Sequence, residues 1–324
     1  MTNPVTEAGD GKLAHFPVAF FTVVMGMSGL TLALETGEAA LGLTGAMSSV
    51  VYLVTLALFA VICGAYLAKL LRHRAMVVAE WNHPVKLAFF PAISISLLLL
   101  AVATLPWHAG VAEAIWLTGA GLQVVLTLAV ISGWIGTRSF LHGHLTPAWF
   151  IPAVGNVVAP IAGAQLGYVE LSWFFMAIGL IFWVVLLALV MNRLIFHDPL
   201  PERLQPTLVI LIAPPAVGFL AWTALVGGLD PFGRILINGA YLFVLIVAVQ
   251  MPAILRLPFA LSFWALSFPV AAVTIASFRY ADLAASPVHQ LIGLVLLVIL
   301  CLTLAALLLR TWRAVRSGAV FQPD

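Results

Sequence analysis

The chain has 324 residues, of which 63% are hydrophobic and only 8% are charged. Soluble domains carry about 25% charged residues, so this composition indicates an integral membrane protein whose main partner is the lipid bilayer. The formal net charge of +2 is too small to indicate a nucleic-acid partner.

Apolar runs long enough to cross a bilayer recur along the whole chain. We predict ten membrane-spanning helices, at about 16–35, 45–71, 84–105, 110–136, 147–167, 169–192, 207–227, 232–254, 258–279 and 287–310. They form one transmembrane domain at 16–312, with an N-terminal tail at 1–15 and a C-terminal tail at 313–324. Ten spans place both tails on the same side of the membrane.

The basic residues predict which side that is. Twelve of the 14 Lys and Arg residues fall on the side of the two tails, and only Arg234 and Arg279 fall on the other side. Cytoplasmic segments of membrane proteins carry an excess of Lys and Arg. We therefore expect a multi-pass protein of the cell inner (plasma) membrane with both termini in the cytoplasm.

Prolines repeat along the odd-numbered spans. Each of these spans opens with a proline, at Pro17, Pro84, Pro147, Pro206 and Pro258. Four of them contain an inner proline break, which we place at Pro91, Pro152, Pro214 and Pro269, and the first has Gly26 as its kink position, a glycine that loosens a helix or allows close packing. Proline removes a backbone donor, and the carbonyl left unpaired is tolerated where the break packs against protein or lines a cavity. We therefore predict that the odd-numbered spans line a pore.

This repeat predicts an all-α architecture. Five helical hairpins that run in the same direction are parallel repeats, related by an approximate axis along the membrane normal. The kinked odd-numbered helices then form an inner ring around a central pore with quasi-five-fold symmetry. The even-numbered spans are uniformly apolar and form an outer ring that faces lipid.

Three phenylalanines are candidates for closing such a pore. Phe268 precedes Pro269 in mid-membrane, Phe263 lies about one helical turn earlier, and Phe90 has the same relation to Pro91 and predicts a second aromatic constriction. The alternative is an ordinary core-facing or lipid-facing ring in a chain with 20 phenylalanines. Residue type alone leaves both interpretations open.

Polar residues near these breaks also have two interpretations. Lys86 either attracts anions in a cytoplasmic vestibule or, with Trp81, anchors the helix at the membrane interface. The intramembrane amides of Gln123 and Asn156 either face the pore or bond a neighbouring helix. His142 and His144 lack acidic or thiol partners nearby and favour a solvated loop, so no metal site is expected.

Several functional classes have no support in the sequence. No nucleotide-binding, metalloprotease or hydrolase motif is present, so we expect neither an enzyme nor a cofactor. No ionisable residue lies inside an odd-numbered span away from its ends, whereas proton-coupled carriers usually place such groups there. A passive conduit is favoured. Without acidic rings to replace water around a cation, and with a basic cytoplasmic mouth, the expected permeant species are anions.

The sequence resembles the tellurite-resistance/dicarboxylate transporter family, which includes bacterial TehA-like proteins, malic-acid permeases and plant slow-type anion channels. The resemblance is carried by HFPVAFFTVVMGMSGLTLAL in the first span, EWNHPVKLAFFPAIS entering the third, FIPAVGNVVAPIAGAQLG in the fifth and PFALSFWALSFPVAA in the ninth. It runs the full length of the chain and keeps the order of the elements.

This resemblance implies a ten-helix protomer with five-fold pseudo-symmetry, in a homotrimer with one pore per protomer. It also implies that a phenylalanine of the ninth helix occludes the pore. Phe268 in SFWALSFP matches that position best, and Phe263 is the second choice. The implied permeant species are small anions such as chloride and nitrate, or C4-dicarboxylates such as malate.

Three functional hypotheses follow. The first is a passive anion channel gated by Phe268. The second is a secondary transporter that couples protons to C4-dicarboxylates or to a tellurite-type oxyanion. The third is a membrane sensor or scaffold with a sealed pore.

Overall fold

A computed structural model describes residues 11–137 and 140–321, and the regular structure in these ranges is helical. The first ten residues of the predicted N-terminal tail, Arg138 of the basic face and residues 322–324 of the C-terminal tail lie outside the described residues.

Nine helices in the described part of the chain are long and apolar enough to cross a membrane. They are Val18–Ala40, Ala46–Arg72, Lys86–Thr104, Ala109–Gly136, Val169–Phe196, Glu202–Val226, Pro231–Ile254, Leu261–Ala284 and Pro287–Ser317. Where a tenth span is predicted, the structure has a shorter apolar helix, Pro147–Gly163. Its two inner prolines, Pro152 and Pro160, lie within a succession of short turns, which helps to explain why it is shorter.

The odd-numbered elements share one construction, a 3₁₀ turn followed by an α-helix. We call them the first to fifth broken segments: Val18–Ala40, Lys86–Thr104, Pro147–Gly163, Glu202–Val226 and Leu261–Ala284. Their opening 3₁₀ turns are Val18–Phe20, Lys86–Phe89, Pro147–Trp149, Glu202–Ile212 and Leu261–Leu266. Because 3₁₀ hydrogen bonds have poorer geometry than α-helical ones, such runs mark places where the sequence or the packing imposes strain.

The even-numbered elements are continuous helices, and their burial differs sharply from that of the broken segments. In the most apolar stretch of each helix, 67–83% of residues are buried in the four longer broken segments, against 22–33% in the continuous helices. The broken segments therefore lie inside the protein. The continuous helices present most of their apolar surface outward, as a bilayer requires.

Contacts among the broken segments form a closed cycle. Each contacts the next in chain order, and the fifth contacts the first; their opening 3₁₀ turns contact one another in the same cyclic order. Each broken segment also packs against the continuous helix that follows it. The five opening turns consequently lie at one end of the bundle, which we call the inner end.

A buried ion pair holds the start of the first broken segment. Glu80 lies in a short helix, Arg74–Asn82, that precedes the second broken segment. Its carboxylate accepts hydrogen bonds from Lys69 Nζ at 2.7 Å, from the Val18 backbone N–H at 2.8 Å and from the Tyr66 hydroxyl at 3.1 Å. Lys69 and Glu80 are only 3% and 5% exposed. One carboxylate therefore neutralises a buried cation and satisfies a backbone donor at a helix start.

Removing the charge of Glu80 is expected to destabilise the protein strongly. Glu80→Gln keeps an oxygen for the Val18 N–H but leaves Lys69 buried without its counter-charge, a change that typically costs about 3–5 kcal/mol. Thermal unfolding of the purified protein in detergent measures the loss. The double variant Lys69→Met/Glu80→Gln removes the orphaned cation and should recover most of the stability; equal stability of the single variant and the wild type would contradict the role of the pair.

Candidate functional site

A small cavity lies where the five broken segments meet, and we call it the waist cavity. Its volume is about 60 Å³, the size of a few water molecules. All five broken segments line it, through Met25, Ile95, Phe150, Pro214 and Phe268 among others. None of the described residues that line it carries a charge. The centre of the bundle is therefore narrow, apolar and uncharged.

A much larger cavity of about 740 Å³, which we call the wide cavity, opens at the inner end. Lys86, predicted as a vestibule residue, lines it together with Arg203. Lys69 and Glu80 also line it, but they form the buried ion pair described above. Glu80 is the one carboxylate among the described lining residues of this cavity.

Phe89 lies between the two cavities, because its side chain lines both of them. We expected Phe90 as the aromatic constriction here, but Phe90 lines neither cavity. Its ring packs edge-on against Trp81 at 4.9 Å and against Tyr66 at 6.4 Å between centroids. Successive side chains of a 3₁₀ turn point about 120° apart, so only one of two neighbouring rings can face the axis. Sequence reasoning missed Phe89 for this reason.

The two candidate gate residues of the fifth broken segment, Phe268 and Phe263, also lie in different surroundings. Phe268 is partly buried and lines the waist cavity. Phe263 is 2% exposed, lines neither cavity and packs against Phe259 with ring centroids 5.8 Å apart. The geometry therefore brings Phe268, and not Phe263, to the centre of the bundle.

The predicted kink prolines are divided between the cavity and the surrounding protein. Pro214 and Pro269 line the waist cavity. Pro91 lies between the 3₁₀ turn and the helix Ala92–Thr104, and its carbonyl accepts the backbone N–H of Ile95 at 2.9 Å. Pro152 lies within a short helix, Phe150–Val154.

The intramembrane polar side chains Gln123, Thr127 and Asn156 form hydrogen bonds within the protein, mostly at the third broken segment. Thr127, from the second continuous helix, donates to the Pro152 carbonyl at 2.9 Å. Asn156 donates to the Ala153 carbonyl at 2.7 Å, and Gln123 accepts from the Ser94 hydroxyl at 2.6 Å. These side chains bond backbone and neighbouring helices, and neither amide lines the waist cavity. The alternative in which Gln123 and Asn156 face the pore is not what the structure shows.

Gly26, which we placed as the kink of the first span, lies inside the uninterrupted α-helix Phe21–Ala40 of the first broken segment. Its role is close packing. A Cβ atom at this position would lie 2.3 Å from Ser267 Oγ and 2.6 Å from Ser267 Cβ, closer than van der Waals contact allows. The first broken segment therefore approaches the fifth just before Phe268.

Trp264 joins the same region to the last continuous helix. Its ring is 1% exposed and lines the waist cavity, and its Nε1–H donates to Thr311 Oγ1 of the last continuous helix at 2.9 Å. A buried tryptophan normally finds such a partner for its N–H. No sequence motif pointed to Trp264 as a residue that holds the fifth broken segment.

The family model described as Voltage-dependent anion channel matches residues 15–312. The S-type anion channel SLAH3 of Arabidopsis thaliana is 28% identical over 92% of this chain and 48% of its own length. The guard cell S-type anion channel SLAC1 of the same plant is 26% identical over 83% and 50%, respectively. The Tellurite resistance protein TehA homolog of Haemophilus influenzae is 26% identical over 84% and 83%. This chain thus spans about half the length of the plant relatives that it matches.

Adding a methyl group at Gly26 is expected to disturb the packing beside Phe268. Gly26→Ala forces Ser267 to move, and overpacking of this kind costs about 1–3 kcal/mol. Gly121→Ala is the matched control, because Gly121 is exposed on a continuous helix with open space where its Cβ would lie. Thermal unfolding should show a loss only for Gly26→Ala. Equal unfolding temperatures of the two variants would contradict the close contact between Gly26 and Ser267.

Proposed function

The chain belongs to the voltage-dependent anion channel family, and from this premise we propose that it conducts small inorganic anions passively through a pore enclosed by its five broken segments. The observation that carries this proposal is the waist cavity, to which all five segments contribute side chains and none contributes a charge. A conduit enclosed by every repeat of the chain is what a channel needs. The family consists of channels and transporters, and we propose no enzymatic activity.

The proposed architecture is five parallel hairpins with quasi-five-fold symmetry, in which the broken segments form the inner ring and the continuous helices the outer ring. The closed cycle of contacts and the difference in burial support it. We further propose a homotrimer with one pore per protomer, in the inner (plasma) membrane, with both termini in the cytoplasm. Under this orientation the wide cavity opens to the cytoplasm.

Selectivity for anions follows from where the charges lie. A cation in the waist cavity would lose water with no carboxylate to replace it. Arg203 in the wide cavity raises the local concentration of anions instead. Because the waist cavity also lacks cations, each permeant anion has to give up part of its hydration there. Weakly hydrated monovalent anions such as nitrate and chloride are therefore favoured over divalent ones.

We propose Phe268 as the gate. Its ring lines the waist cavity, whose volume of about 60 Å³ is that of a few water molecules, and we assign this conformation to a closed state. Pro269 follows it and lacks the N–H that would tie this turn to the preceding one. Rotation of the Phe268 side chain, with a small movement at the break, would widen the waist cavity.

A second candidate is the proton-coupled transport of C4-dicarboxylates or of a tellurite-type oxyanion. The observation in its favour is the name of the Haemophilus influenzae relative, a tellurite resistance protein homolog. The uncharged lining of the waist cavity opposes it, because proton-coupled carriers usually place ionisable groups along the substrate path.

Truncating the gate is expected to open the pore. Phe268→Ala should raise the chloride current in planar bilayers by about tenfold or more, since removing a barrier of about 1.4 kcal/mol already has that effect. Phe263→Ala is the matched control: it removes the same ring from the same segment but away from both cavities, so it should lower stability without a comparable rise in current. An unchanged current in Phe268→Ala would refute the assignment.

The relative permeability of different anions tests whether they lose part of their hydration in the uncharged waist cavity. Reversal potentials under asymmetric salts should rank nitrate above chloride, and chloride far above malate or sulfate, because dehydration costs more for a divalent ion.

Liposomes carrying a proton gradient distinguish the channel from the proton-coupled transporter. Uphill accumulation of malate or tellurite driven by protons would favour the transporter, and flux that follows the membrane potential alone would favour the channel.

A further inference from the structure

The wall of the waist cavity has few hydrogen-bond donors for an anion that has lost water. Among the described residues that line this cavity, only Thr22 and Trp264 have a side-chain donor. The Trp264 N–H donates to Thr311 of the last continuous helix at 2.9 Å, so it holds two helices together. The Thr22 hydroxyl is therefore the donor to consider for a permeating anion.

Thr22 lies where the first broken segment passes from one cavity to the other. Ala19, in the opening 3₁₀ turn, lines the wide cavity, and Thr22, one turn later, lines the waist cavity. Phe89 lines both cavities from the second broken segment. In the proposed channel, an anion that comes from the inner end meets this part of the waist first. Thr22 is 7% exposed, so bulk water hardly competes for its hydroxyl.

The Thr22 hydroxyl donates to the Ala19 carbonyl at 2.6 Å in this structure. Threonine in a helix divides between two χ1 rotamers, because its hydroxyl can bond a carbonyl of the preceding turn. Rotation about χ1 exchanges the positions of the hydroxyl and the methyl group. The bond to Ala19 joins two residues of the same segment, so releasing it separates no helices.

An anion is a better acceptor for this hydroxyl than the Ala19 carbonyl is. Hydrogen bonds to an ionised acceptor are roughly twice as strong as those between neutral groups. The gain is larger for an ion whose charge is concentrated. Chloride carries its charge on one atom, whereas nitrate spreads it over three oxygens. One directed O–H group therefore offsets more of the dehydration cost of chloride than of nitrate.

We propose that Thr22 determines how strongly the pore discriminates between chloride and nitrate. When Phe268 moves out of the waist, the Thr22 hydroxyl turns from Ala19 to the passing anion and provides a donor that the apolar wall lacks. This inference rests on the proposed channel function and names a residue that sets its selectivity. The uncharged waist by itself ranks anions by their cost of dehydration, and the Thr22 hydroxyl reduces the disadvantage of chloride.

Four residue types at position 22 separate the effect of the hydroxyl from the effect of size. Thr22→Val keeps the size and removes the O–H group, Thr22→Ser keeps the O–H group in a smaller side chain, and Thr22→Ala removes both. The nitrate-to-chloride permeability ratio is measured from reversal potentials in planar bilayers. Both the wild-type and the Phe268→Ala backgrounds are used, so that a closed gate does not hide the effect.

The ratio should rise about fivefold in Thr22→Val and in Thr22→Ala, the difference between a hydrogen bond to an ion and one to a neutral group. It should stay near the wild-type value in Thr22→Ser. A wall that acts through size alone would pair the variants differently, with Thr22→Val like the wild type and Thr22→Ser like Thr22→Ala. That second pairing would overturn the proposal.

Thr274→Val is the matched control. The Thr274 hydroxyl donates to the Val270 carbonyl at 2.7 Å in the fifth broken segment, and Thr274 is 0% exposed and lines neither cavity. Its loss should leave the permeability ratio unchanged, and thermal unfolding of both Val variants reports any loss of stability. An equal rise of the ratio in Thr274→Val would mean that the effect is structural, and would overturn the role of Thr22.

Failure of this inference and failure of the channel function have different signatures. Anion current with the same permeability ratio in all four position-22 proteins would remove Thr22 from selectivity and leave the channel in place. No anion current in any variant, including Phe268→Ala, would refute the proposed function and this inference with it.

Discussion

The structure depends on one constraint: backbone groups released at a helix break find no water inside a membrane. Protein groups take the place of water here. Glu80 accepts the Val18 N–H at a helix start, and Thr127 donates to the Pro152 carbonyl. Such partners are available only in the interior. The broken segments are therefore buried, and the continuous helices, which satisfy their own backbones, cover them.

The same constraint separates the polar groups from the waist cavity. The hydroxyls and amides near the breaks bond the backbone or neighbouring helices, so the waist cavity is lined almost entirely by apolar side chains. Formal charges collect at the inner end, where Lys86 and Arg203 face the wide cavity. In the proposed channel, a solute approaching from this end would pass from the wide cavity to the narrow, uncharged waist cavity.

The region of Phe268 shows how closely the inner segments are packed. Gly26 lets the first broken segment approach Ser267, and Trp264 bonds Thr311 of the last continuous helix. The turn that leads into Phe268 is therefore held on two sides. Its freedom to move lies in the proline that follows, which provides no N–H to the preceding turn. A turn held in place beside one side chain that can rotate suits the proposed gate better than a segment that is mobile throughout.

Composition and proline spacing alone determined that this is a helical membrane protein with broken odd-numbered segments, because both properties are local to the chain. The same information identified Phe268 as a candidate, because a sequence shows directly which residue precedes a mid-membrane proline. Tertiary structure decided which neighbour faces inward. Phe89 lines the cavities while Phe90 packs on Trp81, and Phe268 lines the waist cavity while Phe263 does not. It also decided that Gly26 permits a contact instead of a break, and that Glu80 joins Lys69 to Val18. These outcomes depend on the rotation of each segment about its own axis and on partners far away in the chain, and local sequence patterns carry neither.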